Sequence, residues 1–449
     1  MRRFAWLLIA LLSARAGVLA AQEGQRCLFR LQSVGDSGVQ VQTATGTNYF
    51  AGGGVHLTCQ GTAVSMVSDS VASYGGKVVQ FIGNVHYRDS TVTLDADRGT
   101  YFKDGERWEA RGNVKTSNLA SGSTLAGPSV DYFRVVKGVR DTAEMFAMER
   151  PTIRYVTKDS TGAAQEPYVV VGDRIRQRGD EKLWAGGKVT IDRSDFTARG
   201  DSLRLETGKK GSGSLLGTAP TMRGLGKDTF DLAGTRIDFS MREKSIDAVK
   251  ALGDGHAVTR DLDLVADTIA IDLKDQKAEQ TRAWGQTKRA LATSTTYEVL
   301  ADSLAVDTPG QQLKQLRAFR KAWVGTEKDS ATGERDWIAG DTVVADFAQR
   351  DSAAKKVQRL SSLESRQAAR SYYRSTDKPK DTATPAKAPG LNYARADRIV
   401  VHMKDDEEGG VERVDLFGNV DGVQLDPAPA RQPGAAPSSA SPSAKPNDR

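Results

Sequence analysis

The sequence predicts an all-β fold, built as a long antiparallel stack of bent hairpins. Three observations predict it. Short runs alternate apolar and polar residues with a period of two, which is the pattern of half-buried strands. Gly, Asp, Asn and Ser bound these runs, and 44 of the 449 residues are glycine. One phrase also recurs along the chain, mostly at intervals of 28 to 42 residues.

In that phrase a glycine and a valine open an alternating run. A polar turn follows, and a second run ends in Ala-Asp or Gly-Asp. A third run then continues beyond the Asp. The first copy runs from Gly83-Asn84-Val85 through Val92, Leu94 and Ala96-Asp97 to Gly112-Asn113-Val114. Another joins Gly187-Lys188-Val189 to Phe196, Ala198, Gly200-Asp201, Leu203 and Leu205. A third joins Gly255-His256-Ala257-Val258 to Leu264, Ala266-Asp267, Ile269 and Ile271. The last joins Ala396-Asp397, Ile399 and Val401 to Gly418-Asn419-Val420. Weaker copies carry Gly172-Asp173, Gly234-Thr235 with Ile237 and Phe239, Ala301-Asp302 and Gly340-Asp341, and Val130-Asp131 is a degenerate member.

Parity changes at the Asp. Leu262, Leu264 and Ala266 are even-numbered, whereas Ile269 and Ile271 are odd-numbered. On a flat strand that shift would turn the second set to the wrong face. A bend or bulge at the small residue restores it. The Asp carboxylate can accept N–H groups that the bend leaves unpaired. The structural corners are therefore Asp97, Asp173, Asp201, Asp267, Asp302, Asp341 and Asp397. Each unit becomes a hairpin of bent strands, and stacked units form two facing sheets joined along a crease. Residues 353–369 could be helical by composition, but a strand is due there, and a strand is expected.

The ends read differently. Arg2 and Arg3, the apolar run from Phe4 to Leu12 and the small residues Ala16 to Ala21 form a signal peptide over residues 1–21. Its apolar run is shorter than the roughly 20 residues of a spanning helix, and no other stretch is apolar enough to span as one. Residues 22–76 read as an irregular β segment, and residues 77–426 hold the repeats, divisible into about 77–206 and 207–426. Residues 427–449 contain six of the 14 prolines and cannot bury a core, so disorder is expected there. Cys27 and Cys59 are a candidate disulfide in an oxidising compartment, the alternative being two free thiols.

The formal net charge of +6 is spread without a basic block, which argues against a nucleic-acid partner. No phosphate loop, nucleophile elbow or His-Glu-x-x-His sequence is present. His56, His86, His256 and His402 lack metal-ligand spacing. No catalytic residue, metal or cofactor is expected, and the chain does not read as an enzyme.

The quoted motifs resemble those of the lipopolysaccharide-transport periplasmic proteins, the OstA-like (organic solvent tolerance) β-jellyroll family. The resemblance rests on Gly83-Asn84-Val85 through Ala96-Asp97, Lys188-Val189 through Gly200-Asp201-Ser202-Leu203, Leu264 through Ala266-Asp267-Thr268-Ile269, and Ala396-Asp397-Arg398-Ile399 through Gly418-Asn419-Val420. It spans residues 77–426. It implies an elongated, V-shaped antiparallel β-jellyroll in the periplasm, peripheral to the outer membrane at most. It also implies a groove for the acyl chains of lipopolysaccharide or a related glycolipid. Its partners would be other OstA-like proteins, or a second copy, joined by edge-strand pairing. Candidate groove residues are Val92, Leu94, Leu203, Leu205, Ile237, Phe239, Leu264, Ile269, Ile271, Ile399 and Val401. The rival expectation is a scaffold protein of the cell envelope that binds no lipid and has a filled interior.

Overall fold

The computed structural model describes residues 26–425 except 159–160, 208–209, 226–229, 243–244, 260–261, 275–276, 329–332, 353–354, 376–389 and 405–409. Residues 1–21, expected to be a signal peptide, and the tail 427–449 therefore lie outside the described residues. Those described form 32 β-strands and one short 3-10 turn at Pro309–Gln311, with no α-helix among them. Within the segment of ambiguous composition, residues 355–369 are extended, as part of the strand Lys355–Ser375.

The chain divides into two compact units: residues 1–229 with 233–249, and residues 230–232 with 250–449. In each, sequence-adjacent strands pair antiparallel. In the first unit, Val78–Arg88 pairs with Val92–Phe102, which pairs with Arg107–Asn118. The layering reaches back to Phe29–Val34, which pairs with Val55–Cys59. In the second unit, Gln315–Thr326, Trp337–Ser352, Lys355–Ser375, Gly390–Met403 and Val411–Phe417 pair in succession.

Each long strand bends near its middle, and the bends share one construction. Two residues in the left-handed region on one strand face a single Asp on the next. Gly83-Asn84 faces Asp97, Gly187-Lys188 faces Asp201, Arg320-Lys321 faces Asp341, and Gln367-Ala368 faces Asp397. This is a bulge with two residues against one, and it turns the strand while preserving register on both sides. Leu264, Ala266, Ile269 and Ile271 are consequently all buried.

The Asp partners lie on the neighbouring strand or in the short link where that strand is interrupted. Asn113 donates to Asp97 through its side-chain amide at 2.9 Å. Thr218 donates its N–H to Asp201 at 2.9 Å, and Thr287 and Lys288 donate theirs to Asp267 at 2.8 and 3.0 Å. Arg150 reaches Asp173 and Arg289 reaches Asp302, each at 3.1 Å. The corner carboxylates thus tie adjacent layers together along the crease.

Two corners differ from the sequence reading. The bend beside Val130-Asp131 falls earlier, at Gly127-Pro128, where the register shifts between Gly127 and Ser129. Proline has no N–H to lose at a bulge, which suits it to that position. Asp131 instead accepts from Arg111 at 2.8 Å within the strand. Near Gly255, the left-handed pair is Gly253-Asp254, two residues earlier.

Candidate functional site

The bends fold the two halves of each strand over one apolar interior. In the first unit that interior changes character along the stack. Its N-terminal part is filled. Trp108 is fully buried, with the rings of Phe81 and Tyr87 each 5.0 Å away and Tyr101 5.8 Å away. Phe81 and Tyr87 flank the Gly83-Asn84 corner of a single strand, so both halves of that strand meet on one indole. A buried ion pair lies alongside, with Arg134 donating to Glu106 at 2.7 Å. Tyr101 and the Cys27 N–H also donate to Glu106. Cys27 is joined to Cys59 by a disulfide, with 4.9 Å between their Cα atoms. Burial drives the Tyr101 phenol far above its ordinary pKa, helped by the Glu106 hydrogen bond.

The two margins of the bent sheet also meet in this unit. Tyr132 donates to Asp89 across the opening at 2.8 Å. Asn118 donates to Asp180 at 2.6 Å, and Tyr155 donates to the Asp180 carbonyl at 2.6 Å. Tyr155 also shares a hydrogen bond with Thr207. The two margins of the trough are therefore tied together by hydrogen bonds along this stretch.

Beneath the Tyr155–Thr207 seam the apolar side chains leave a narrow void of about 20 Å³, open to solvent at its mouth. Phe196 enters it from before the Gly200-Asp201 corner, and Leu203 and Leu205 enter from after it. Met222, Phe239, Met241 and Ile246 line it from the strands that follow, and Tyr155, Tyr168, Val170, Ile191 and Thr207 complete the lining. Among the described residues, no ionisable group other than the two phenols lines it. Burial raises the pKa of both Tyr155 and Tyr168, so both stay neutral. Arg193 stands at the rim and donates to the Tyr168 hydroxyl at 2.7 Å. Gly213 leaves room for the Phe239 ring, because a Cβ there would overlap it.

Of the candidate groove residues, Leu203, Leu205 and Phe239 line this void. Val92 and Leu94 are buried in the filled part of the same unit, and Ile237 is buried beside Leu215 on the paired strand. Leu264, Ile269, Ile271 and Ile399 are buried in the second unit, where Val401 is half-buried. Met222 and Met241 went unnoticed in the sequence because they sit in short strands without the recurring phrase. Ile191 and Phe196 carried a usable signal, since they flank the same corner as Leu203. The histidines sit in ordinary strand positions: His86 pairs with Asp95 at 2.6 Å, His256 with Asp263 at 2.9 Å, and His402 with Asp415 at 3.1 Å.

No protein-family model matches the chain, and no curated protein matches it. Among solved structures, it is similar to LptH from Pseudomonas aeruginosa, described as the LptA-homologous periplasmic component of the conserved lipopolysaccharide transport device. The identity is 16%, the match covers 28% of this chain and 94% of that one, and the TM-score is 0.25. A likeness of that size bears no weight in assigning a function. No helix among the described residues is long and apolar enough to cross a membrane.

Proposed function

We propose that this protein is a non-enzymatic periplasmic carrier of lipopolysaccharide or a related glycolipid, holding acyl chain inside the bent sheet on its way to the outer membrane. The observation that carries this reading is the apolar void under the Tyr155–Thr207 seam. An acyl chain entering there would part the lining side chains and leave water for contact with Leu203, Phe239, Met222 and Met241. That transfer is worth about 0.8 kcal/mol per methylene. The seam itself consists of a few hydrogen bonds, which can open one at a time as a lipid enters from the side, with water taking up the freed groups. The recurring corner motifs, with their resemblance to the OstA-like family, support the same reading.

Edge strands offer the means of joining partners. Val411–Phe417 and Asp421–Leu425 pair with Gly390–Met403 and, among the described residues, with no strand beyond. Unpaired edges of this kind template further strands.

The filled end around Trp108 favours a second reading, a scaffold rod that binds no lipid. Photo-crosslinking separates the two. Probes at Leu203 and Phe239 are expected to capture lipopolysaccharide in cells, and probes at Phe81 beside Trp108 are not. Capture at none of these positions would leave the scaffold reading standing.

A further inference from the structure

We propose that the outer face of the second unit carries a binding platform for the phosphorylated saccharide headgroup of a glycolipid. This rests on the carrier reading above for its choice of ligand, and on a different surface for its argument.

Three rings stand side by side across three adjacent strands. Trp337 faces Tyr372 in register, and Tyr372 faces Tyr393. The Trp337 ring lies 6.4 Å from Tyr372 and 6.3 Å from Tyr393. All three residues are half-buried on the face opposite the core, because their neighbours Ile338 and Ser371 point inward and are buried. Two residues along on the same strands and the same face, Arg370 sits directly opposite Arg395. Both arginines are exposed.

Like charges directly opposite on a sheet repel. The same two strands show how such a pair is normally relieved. Arg366 also sits opposite Arg398, but Glu364 accepts from both, at 2.7 Å from Arg366. No acid among the described residues does this for Arg370 and Arg395. The nearby acids are otherwise engaged, Glu334 with Tyr372 at 2.9 Å and Asp336 with Arg374 at 2.9 Å. A bound anion would relieve the repulsion.

The two features together select a ligand class. Guanidinium forks match the oxygens of a phosphate. The negative faces of aromatic rings suit the C–H face of a pyranose, which carries partial positive charge. A saccharide bearing phosphate presents both within one headgroup. In a carrier whose interior takes the acyl chains, this part of the ligand stays outside the trough.

The test uses the mature full-length chain and the phosphorylated core oligosaccharide released from lipopolysaccharide by deacylation, with binding read by calorimetry. The wild type is expected to bind. Arg370→Gln with Arg395→Gln is expected to lose about tenfold or more in affinity. Removing the phosphates from the probe should cost a similar factor. Tyr393→Ser should weaken binding without removing its salt dependence, and Arg204→Gln in the other unit should not change it. Thermal melts show that each variant is folded. The proposal is overturned if the wild type does not bind the probe or if the double arginine variant binds it equally well. It is likewise overturned if the arginines govern only capture of phosphatidylglycerol vesicles. Lipid crosslinking at Leu203 in the double variant separates the two claims, because a trough that still captures lipid stands whether or not the platform does.

Discussion

The Asp97 side chain occupies the space that a side chain on Gly112 would need. A Cβ on Gly112 would come within 2.9 Å of the Asp97 Cβ and would overlap its carboxylate. Gly112 also has φ +74°, in the left-handed region. The same arrangement recurs at Gly83 over Asp69, Gly187 over Asp173 and Gly418 over Asp397. Gly112→Ala should therefore cost about 1–3 kcal/mol, part from backbone strain and part from the clash. Combined with Asp97→Ala, the total loss should be smaller than the sum of the single losses, because the second change removes the overlap with the carboxylate and leaves only the contact with the Cβ. Urea unfolding of the four proteins measures this. Strict additivity would mean that the two residues do not act on each other.

The disulfide anchors the first layers to the filled end of the interior. Cys27 and Cys59 close a loop with a sequence separation of 32. In the chain-entropy model such a bridge is worth roughly 3–4 kcal/mol. In a stacked fold that loss should stay local, because each layer contacts mainly its neighbours. Cys27→Ser with Cys59→Ser should speed amide exchange in Phe29–Val34 and Val55–Cys59. Exchange in Gln315–Thr326 should remain unchanged. Uniform acceleration along the chain would contradict a layer-by-layer fold.

Glu106 holds three donors in a site sealed from water. Removing its charge would leave the Arg134 guanidinium buried without the carboxylate of Glu106. Breaking a buried pair from one side costs about 3–5 kcal/mol. Glu106→Gln should lower the melting temperature and admit trypsin at Arg134. Glu364→Gln, which affects an ion pair on the surface, should cost far less. Equal losses from the two would show that burial of Glu106 is not what matters.

Acid should loosen the crease before it unfolds the core. The Thr287 N–H, and then the Lys288 N–H, hold the Asp267 carboxyl below its ordinary pKa. A carboxylate with a depressed folded pKa contributes stability above its unfolded value, about 3.9. That contribution disappears as pH falls through the folded value. The carboxyl carbon signal of Asp267 should therefore titrate below the unfolded midpoint. Exchange at Thr287 and Lys288, relative to an unfolded chain, should rise under more acid conditions. A titration midpoint at or above 3.9 would remove this role for the corner.

The sequence made the crease legible because the change of parity around Ala266-Asp267 has one simple solution, a bulge. It did not reveal the facing half of each corner where glycine is absent. Arg320-Lys321, Gln367-Ala368 and Glu149-Arg150 take left-handed conformations with side chains that usually avoid them, so no local signal marks them. Leu203 and Phe239 could be named as inward because alternation fixes the face. Alternation does not say which inward residues leave space between them. The void, the aromatic plug at Trp108 and the seam at Asn118–Asp180 all depend on side-chain volumes meeting across the fold. The row Trp337, Tyr372 and Tyr393 spans 56 positions and exists only through strand pairing.

The central claim is that the interior under the Tyr155–Thr207 seam takes an acyl chain. The most direct measurement is the native mass of the protein purified from cells, compared with that of Met222→Trp, which fills the void. Overpacking should cost about 1–3 kcal/mol, leaving a folded protein. The wild type is predicted to carry a glycolipid adduct that the folded variant lacks. An adduct of equal abundance on both, or none on either, would contradict it.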